Sequence, residues 1–168
     1  FTDSPTTVWD FAAIRAYALG LPSAANQSST QDEDTPYSFS AADFGFSSTN
    51  AANSFGGLRI DSLPVVGSLK LSGSSVTAAQ VIGVAELAAG NLVFAPAADA
   101  NGDGYAGFAF SVKDQNGVFD TAPNTLTFNF TPVNDAPVLS GVTATLAAGA
   151  EDMAVTIAEA DLLAGFTD

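Results

Sequence analysis

The chain of 168 residues has no cysteine, no histidine, four basic residues and a single methionine. The first two absences exclude disulfides, thiolate and imidazole metal sites, and every Ser-His or Cys-His nucleophile. A metal site here has to be built from oxygen. The scarcity of Lys and Arg excludes a second class: against 18 acidic residues they leave a formal net charge of -14. A chain so poor in cations cannot bind nucleic acid or an anionic membrane surface by releasing counterions. Cations are its natural ligands. Long hydrophobic runs are lacking as well. Uncharged stretches such as Leu71–Ala85 and Ala136–Ala150 are broken by Gly, Ser and Thr and fall short of the ~20 apolar residues that a spanning helix requires. No membrane insertion is expected. Nor does a basic segment followed by an apolar run mark a signal peptide, so the chain reads as an excised or processed piece. Charged residues make up only 13% while Gly, Ala, Ser and Thr fill the loops, a composition that points to an extracellular, secreted protein.

What is present is a repeat. Glu33-Asp34-Thr35-Pro36-Tyr37-Ser38-Phe39-Ser40-Ala41-Ala42-Asp43-Phe44 recurs, acid for acid and apolar for apolar, as Glu151-Asp152-Met153-Ala154-Val155-Thr156-Ile157-Ala158-Glu159-Ala160-Asp161-Leu162. One whole repeat and the opening of another are therefore expected. Within the whole repeat the pattern has period two. Tyr37 and Phe39, Leu58 and Ile60, Leu69 and Leu71, Phe108, Phe110 and Val112, and Leu126, Phe128 and Phe130 put apolar groups on one face, with polar neighbours on the other. Such strands are half-buried and antiparallel. Turn residues between them, as at Gly56-Gly57, Gly73, Gly90-Asn91, Asn101-Gly102 and Asn116-Gly117, recur at the intervals of an all-β sandwich. The expected fold is an all-β sandwich of about seven strands over residues 26–133, with Ala78–Ala89 as a short helical or irregular crossover. Residues 134–137 form a linker and 138–168 the opening strands of a second, incomplete repeat.

Residues 1–25 depart from this pattern. Ser4 before Pro5 suits an N-cap and first helical position, Gly20 a C-terminal cap, and Thr6–Leu19 is rich in helix formers. A short N-terminal helix is expected there. Its apolar residues go most of the way round, so it must be covered, by the sandwich or by another chain.

The chemistry lies in the carboxylates. Asp99-Ala100-Asn101-Gly102-Asp103-Gly104 has the D-x-N-x-D-G form, with oxygen ligands at alternate positions and Gly where the backbone turns, as a hard Ca²⁺ ion requires. An EF-hand is excluded, because the twelfth position is Phe110 and the flanks are strands. The alternative is a solvated Asn/Gly turn. With Glu33-Asp34-Thr35 opening the repeat, Phe94-Ala95-Pro96 before the loop, Phe108–Asp114 after it and Asn134-Asp135-Ala136-Pro137 at the exit, the chain from about Asn26 onward resembles a cadherin-like tandem repeat of large bacterial RTX-type surface adhesins.

That resemblance implies an immunoglobulin-like sandwich in head-to-tail arrays with Ca²⁺ bound where repeats meet. The implied ligands are Glu33 with Asp34 beside it, then Asp99, Asn101 and Asp103, and in the linker Asn134 and Asp135. Pro132 and Ala136 replace two ligand positions of the animal cadherin linker, and Phe46 is followed by Ser47-Ser48-Thr49-Asn50 rather than an Asp-rich loop. Fewer ligands imply an affinity of about 10⁻⁴ to 10⁻³ M, the extracellular range. Asp114 reads as a turn residue, and Asp43, Asp61, Glu86 and Asp120 as solvated. Glu33 and Asp34, being adjacent on a strand, point to opposite faces and cannot flank one glycosidic bond, so no enzymatic activity is expected. The implied function is a calcium-stiffened extender repeat serving adhesion or biofilm formation, its partners being neighbouring repeats. The rival readings are a sugar- or peptide-binding module using Trp9 or Tyr105, and a self-assembling subunit whose strands in residues 138–168 complete a sandwich in an identical chain.

Overall fold

Alternation decides which face each strand buries, and the strand order then decides which residues share an end. The computed structural model describes residues 20–168 other than 143, 144, 146, 147, 164 and 168. The expected N-terminal helix lies outside the described residues. The chain divides into two units, residues 1–132 and 133–168.

In the first unit the strands are β1 (Pro22–Ser23), β2 (Gln27–Asp32), β3 (Tyr37–Ser38), β4 (Ser47–Ser48), β5 (Phe55–Ile60), β6 (Ser68–Leu71), β7 (Ser74–Ser75), β8 (Val81–Gly83), β9 (Leu92–Ala95), β10 (Gly102–Asp114) and β11 (Asn124–Thr131). A five-stranded sheet has the order β2-β11-β10-β5-β8, a four-stranded sheet the order β3-β9-β6-β7, and β1 pairs with β4. The expectation of about seven strands undercounts them, because several are two-residue pairings too short to show alternation. The crossover expected at Ala78–Ala89 resolves into β8 and a one-turn helix, α1 (Val84–Ala88).

The two sheets bury their apolar faces in a common core, an arrangement compatible with an all-β sandwich. Phe94 on β9 stacks on Phe128 of β11 with ring centroids 4.5 Å apart and planes 14° from parallel. Phe39, Phe44, Phe94, Phe108, Phe110 and Phe128 are all fully buried, each contributing about 1.5–3 kcal/mol by removing apolar surface from water. The half-exposed Arg59–Asp61 ion pair is worth at most about 1 kcal/mol by comparison. Packing of phenylalanine, not charge, holds this unit together.

One strand overturns the expected pairing. β2 runs parallel to β11, from Gln27 opposite Leu126 to Asp32 opposite Thr131, where antiparallel strands alone were expected. Its sequence, Gln-Ser-Ser-Thr-Gln-Asp, has no apolar alternation to show that it is a strand at all. It takes the edge of the five-stranded sheet, where a polar strand can face water. The parallel register brings the ends of β2 and β11 to one pole, with the Glu33 N–H donating to the Thr131 carbonyl at 3.0 Å.

After β3 the chain turns through a 3-10 segment, Ala41–Phe44, closed by Gly45 at φ 54°. Asp43 organises it: Oδ2 accepts the Ser40 N–H at 2.7 Å and the Ser40 hydroxyl at 2.9 Å, and Oδ1 accepts the Tyr37 hydroxyl at 2.6 Å. Asp43 is thus a structural acceptor, not the solvated residue expected from sequence.

The second unit contains β12 (Val138–Leu139), a one-turn helix α2 (Glu159–Leu163) and β13 (Phe166–Thr167), which pairs with β12. It repeats local features of the first. Asp34 and Asp152 both adopt left-handed backbone, at φ 61° and 59°. Asp161 accepts the Ala158 N–H at 3.3 Å as Asp43 accepts that of Ser40. The apolar residues differ in fate: Phe39 is buried, whereas its counterpart Ile157 is 44% exposed.

Candidate functional site

Four of the seven sequence-singled residues, Glu33, Asp34, Asp99 and Asn101, come together at the pole where β2 and β11 end. Glu33 and Asp34 directly follow β2, and Asp99 lies in the turn between β9 and β10. Asp34 and Asp99 are exposed and both have positive φ, 61° and 56°. Aspartate tolerates this conformation better than most residues because its short side chain bonds locally. The Asp99 N–H donates to Asp34 Oδ1 at 3.0 Å, and a carboxylate oxygen of Asp34 lies within 4.8 Å of one of Asp99. Two like charges are therefore held side by side on strained turns.

Glu33 sits behind them, only 3% exposed. Asn101 Nδ2 donates to its Oε2 at 2.9 Å, so the amide expected to offer an oxygen to a cation here offers its nitrogen to a carboxylate. Asp103 is exposed and lies in β10, not in a loop: that strand already begins at Gly102, with an irregular register between Gly102 and Ala106. The tight acidic loop expected over Asp99–Gly104 is thus half turn and half strand. Asn129, which the sequence reading passed over, fixes this irregular stretch, its Oδ1 accepting the Gly104 N–H at 2.8 Å. It occupies an outward position on β11, and nothing in the sequence separates it from the other polar residues there.

Asn134 and Asp135 lie beyond Pro132, in the second unit. There Asn134 Nδ2 donates to the Asp135 carbonyl at 2.8 Å. The grouping established within the first unit is that of Glu33, Asp34, Asp99 and Asn101, and no contact joins Asp103 to it among the described residues. Its donor atoms are carboxylate and amide oxygens, the set that suits a hard cation such as Ca²⁺ and not a softer metal.

The remaining acids are structural. Asp114 is 2% exposed, and its Oδ1 accepts the N–H groups of Asn116 and Val118, each at 2.9 Å, as its reading as a turn residue anticipates. Glu86 accepts from Asn91 Nδ2 at 2.6 Å. Asp61 and Asp120, expected to be solvated, are bonded as well: Asp61 Oδ2 accepts the hydroxyl of the buried Ser111 at 2.6 Å, and Asp120 Oδ2 accepts the Asn124 amide at 2.8 Å. Tyr105 is half-buried, its ring edge-on to Phe130 at 5.5 Å, so it packs on the core and offers no open platform. Trp9 lies outside the described residues. Among the described residues no helix is long and apolar enough to cross a membrane.

Comparison with protein families finds no match, and comparison with curated proteins and with solved structures finds none either.

Proposed function

We propose that this chain is a calcium-binding extender repeat of a bacterial cell-surface adhesin of the RTX type, stiffened by Ca²⁺ where successive repeats meet and serving adhesion or biofilm formation. The observation that carries this reading is the gathering of Glu33, Asp34, Asp99 and Asn101 at the pole where β2 and β11 end. The chain leaves β11 for residues 133–137 at that same pole. The matching aspartate turns at Asp34 and Asp152 add support for a tandem arrangement.

In this mechanism Asp34, Asp99, Asp103 and Glu33 supply carboxylate oxygens and Asn101 an amide oxygen once its side chain turns over. Asn134 and Asp135 add ligands from the linker. Without the ion the carboxylates repel and the linker flexes; with it, ligands on both sides of the linker are tied to one divalent charge. Binding only the aligned, folded state stabilises it by RT ln(1 + [L]/Kd), about 1.4 kcal/mol when calcium is at ten times Kd. Millimolar extracellular calcium reaches that ratio for a site at the tight end of the expected range, and cytoplasmic calcium does not.

The test is a thermal melt in EGTA, in millimolar CaCl₂ and in MgCl₂. A rise of several degrees specific to calcium and lost in Asp34→Ala/Asp99→Ala is expected. Equal melting in EGTA and calcium would show that the acidic pole is only a pair of turns.

A further inference from the structure

A sheet ends in strands whose outward N–H and C=O groups lack a neighbour, and proteins blunt such edges by keeping them short, bulging them or placing Pro or Lys on them. The two larger sheets of the first unit end in β2, β8, β3 and β7. Three of these edges are short: β8 has three residues, and β3 and β7 have two each. β2 is the exception. It has six residues, Gln27–Asp32, paired with β11 in an unbroken register from end to end, and it contains neither Pro nor Lys.

Parity decides which backbone groups of β2 face outward, because successive residues of a strand turn their N–H and C=O to opposite edges. The Glu33 N–H donates to the Thr131 carbonyl at 3.0 Å, so the odd-numbered residues Gln27, Ser29 and Gln31 bond β11. Ser28, Thr30 and Asp32 therefore direct their N–H and C=O away from the sheet. All three residues are exposed. Their backbone groups have no hydrogen-bond partner among the described residues. Their side chains share the exposed face of the strand, where Asp32 Oδ1 accepts the Thr131 hydroxyl at 2.5 Å.

We propose that the open edge of β2 is an interface with a second copy of this chain, the two β2 strands pairing antiparallel about a two-fold axis at Thr30 and joining two five-stranded sheets into one. The register follows from the parity. Antiparallel residues exchange hydrogen bonds only where both point their backbone across the gap, so even-numbered residues must face even-numbered ones. With Thr30 opposite Thr30 of the second copy, Ser28 falls opposite Asp32 at both ends, and every outward N–H of the two strands meets a carbonyl. Thr opposite Thr and a Ser hydroxyl opposite a carboxylate are favourable cross-strand pairs, whereas sliding Asp32 opposite Asp32 would match like charges. Charge also fixes the direction. Asp32, Glu33 and Asp34 follow one another at one end of the strand, and parallel pairing would set these acidic ends side by side. Antiparallel pairing separates the two Glu33 residues by six residues, about 20 Å, well beyond the ~8 Å Debye length at physiological salt. The edge thus complements itself, and a strand without apolar side chains offers no pockets to an apolar peptide. This interface does not rest on the calcium reading and is expected in EGTA.

The test uses the whole chain in EGTA. Sedimentation velocity from micromolar to millimolar chain should show the mass rising from one copy toward two. Hydrogen exchange over the same range should show the amides of Ser28, Thr30 and Asp32 gaining protection, while those of Ser29 and Gln31, already bonded to β11, keep theirs. Thr30→Lys, which sets two cations against each other at the axis, should remain at the mass of one copy with the melting temperature of the parent. Thr30→Pro removes the central donor from the open side, where an edge strand tolerates proline, and should do the same. The mass of one copy at millimolar concentration, a dimer in which the Ser28, Thr30 and Asp32 amides exchange at an unchanged rate, or a dimer that survives in Thr30→Lys overturns the proposal. If Thr30→Pro folds poorly, Thr30→Lys and the exchange of the parent chain decide.

Discussion

Replacing Asn101 by Leu isolates the bond on which the acidic pole is built. Asn101 Nδ2 donates to Glu33 Oε2 at 2.9 Å, and Glu33 is 3% exposed, so water cannot readily take the place of a lost amide. Leu matches Asn in the number and branching of its side-chain heavy atoms but carries no polar atom, so the substitution removes the hydrogen bond at similar shape. A bond to a charged acceptor of this kind is worth about 1.5–3 kcal/mol. At roughly 4 °C per kcal/mol for a domain of about a hundred residues, the melting temperature in EGTA should fall by about 6–12 °C. Asn101→Asp loses the same donor and sets a like charge against Glu33, so its loss in EGTA should be at least as large. The two variants part company in calcium: the Asp variant offers the ion another carboxylate and should recover stability, while the Leu variant should respond less than the parent. Calorimetric melts in EGTA and millimolar CaCl₂ measure all of this. A Leu variant melting within about 2 °C of the parent in EGTA would refute the reasoning, because the buried carboxylate would then not depend on the amide.

Three further outcomes follow from the same geometry. Burial pushes the Tyr37 hydroxyl up to about 12 from 10, with its hydrogen bond to Asp43 and the charge of Asp43 adding to this; the stability it contributes is complete below pH 10 and lost as pH rises through about 12, so urea midpoints should fall faster over that window in the parent than in Tyr37→Phe. Phe128→Ala should cost about 3–5 kcal/mol in urea unfolding, and a double-mutant cycle with Phe94→Leu should return a coupling of about 0.5–1.5 kcal/mol from the stacked pair. Asp114→Ala leaves the N–H groups of Asn116 and Val118 without their acceptor and should lose about 2–4 kcal/mol, whereas Asp114→Asn, which keeps one oxygen in place, should lose less than half of that.

The sequence by itself determined the apolar skeleton. Phe108, Phe110 and Val112 alternate with Ala109 and Ser111, and Leu126, Phe128 and Phe130 with Thr127 and Asn129; all six apolar members are buried, because a side-chain period of two leaves a strand one way to face a core. The recurrence of residues 33–44 at 151–162 is likewise visible in the sequence, and Asp34 and Asp152, its matching aspartates, both adopt left-handed backbone. The oxygen-only chemistry of any metal site follows from composition alone. Other features belong to the tertiary structure. β2 has no hydrophobic pattern, and only its parallel register on β11 sets Glu33 and Asp34 beside the turn that carries Asp99. Asp43, Asp61 and Asp120 read as surface acids, since charge and spacing do not disclose that the Tyr37 hydroxyl, the Ser111 hydroxyl and the Asn124 amide donate to them. Hydrophobic periodicity is a property of neighbours in the chain, whereas a partner of a carboxylate can lie on a distant strand, as Ser111 does for Asp61 at a separation of 50 residues.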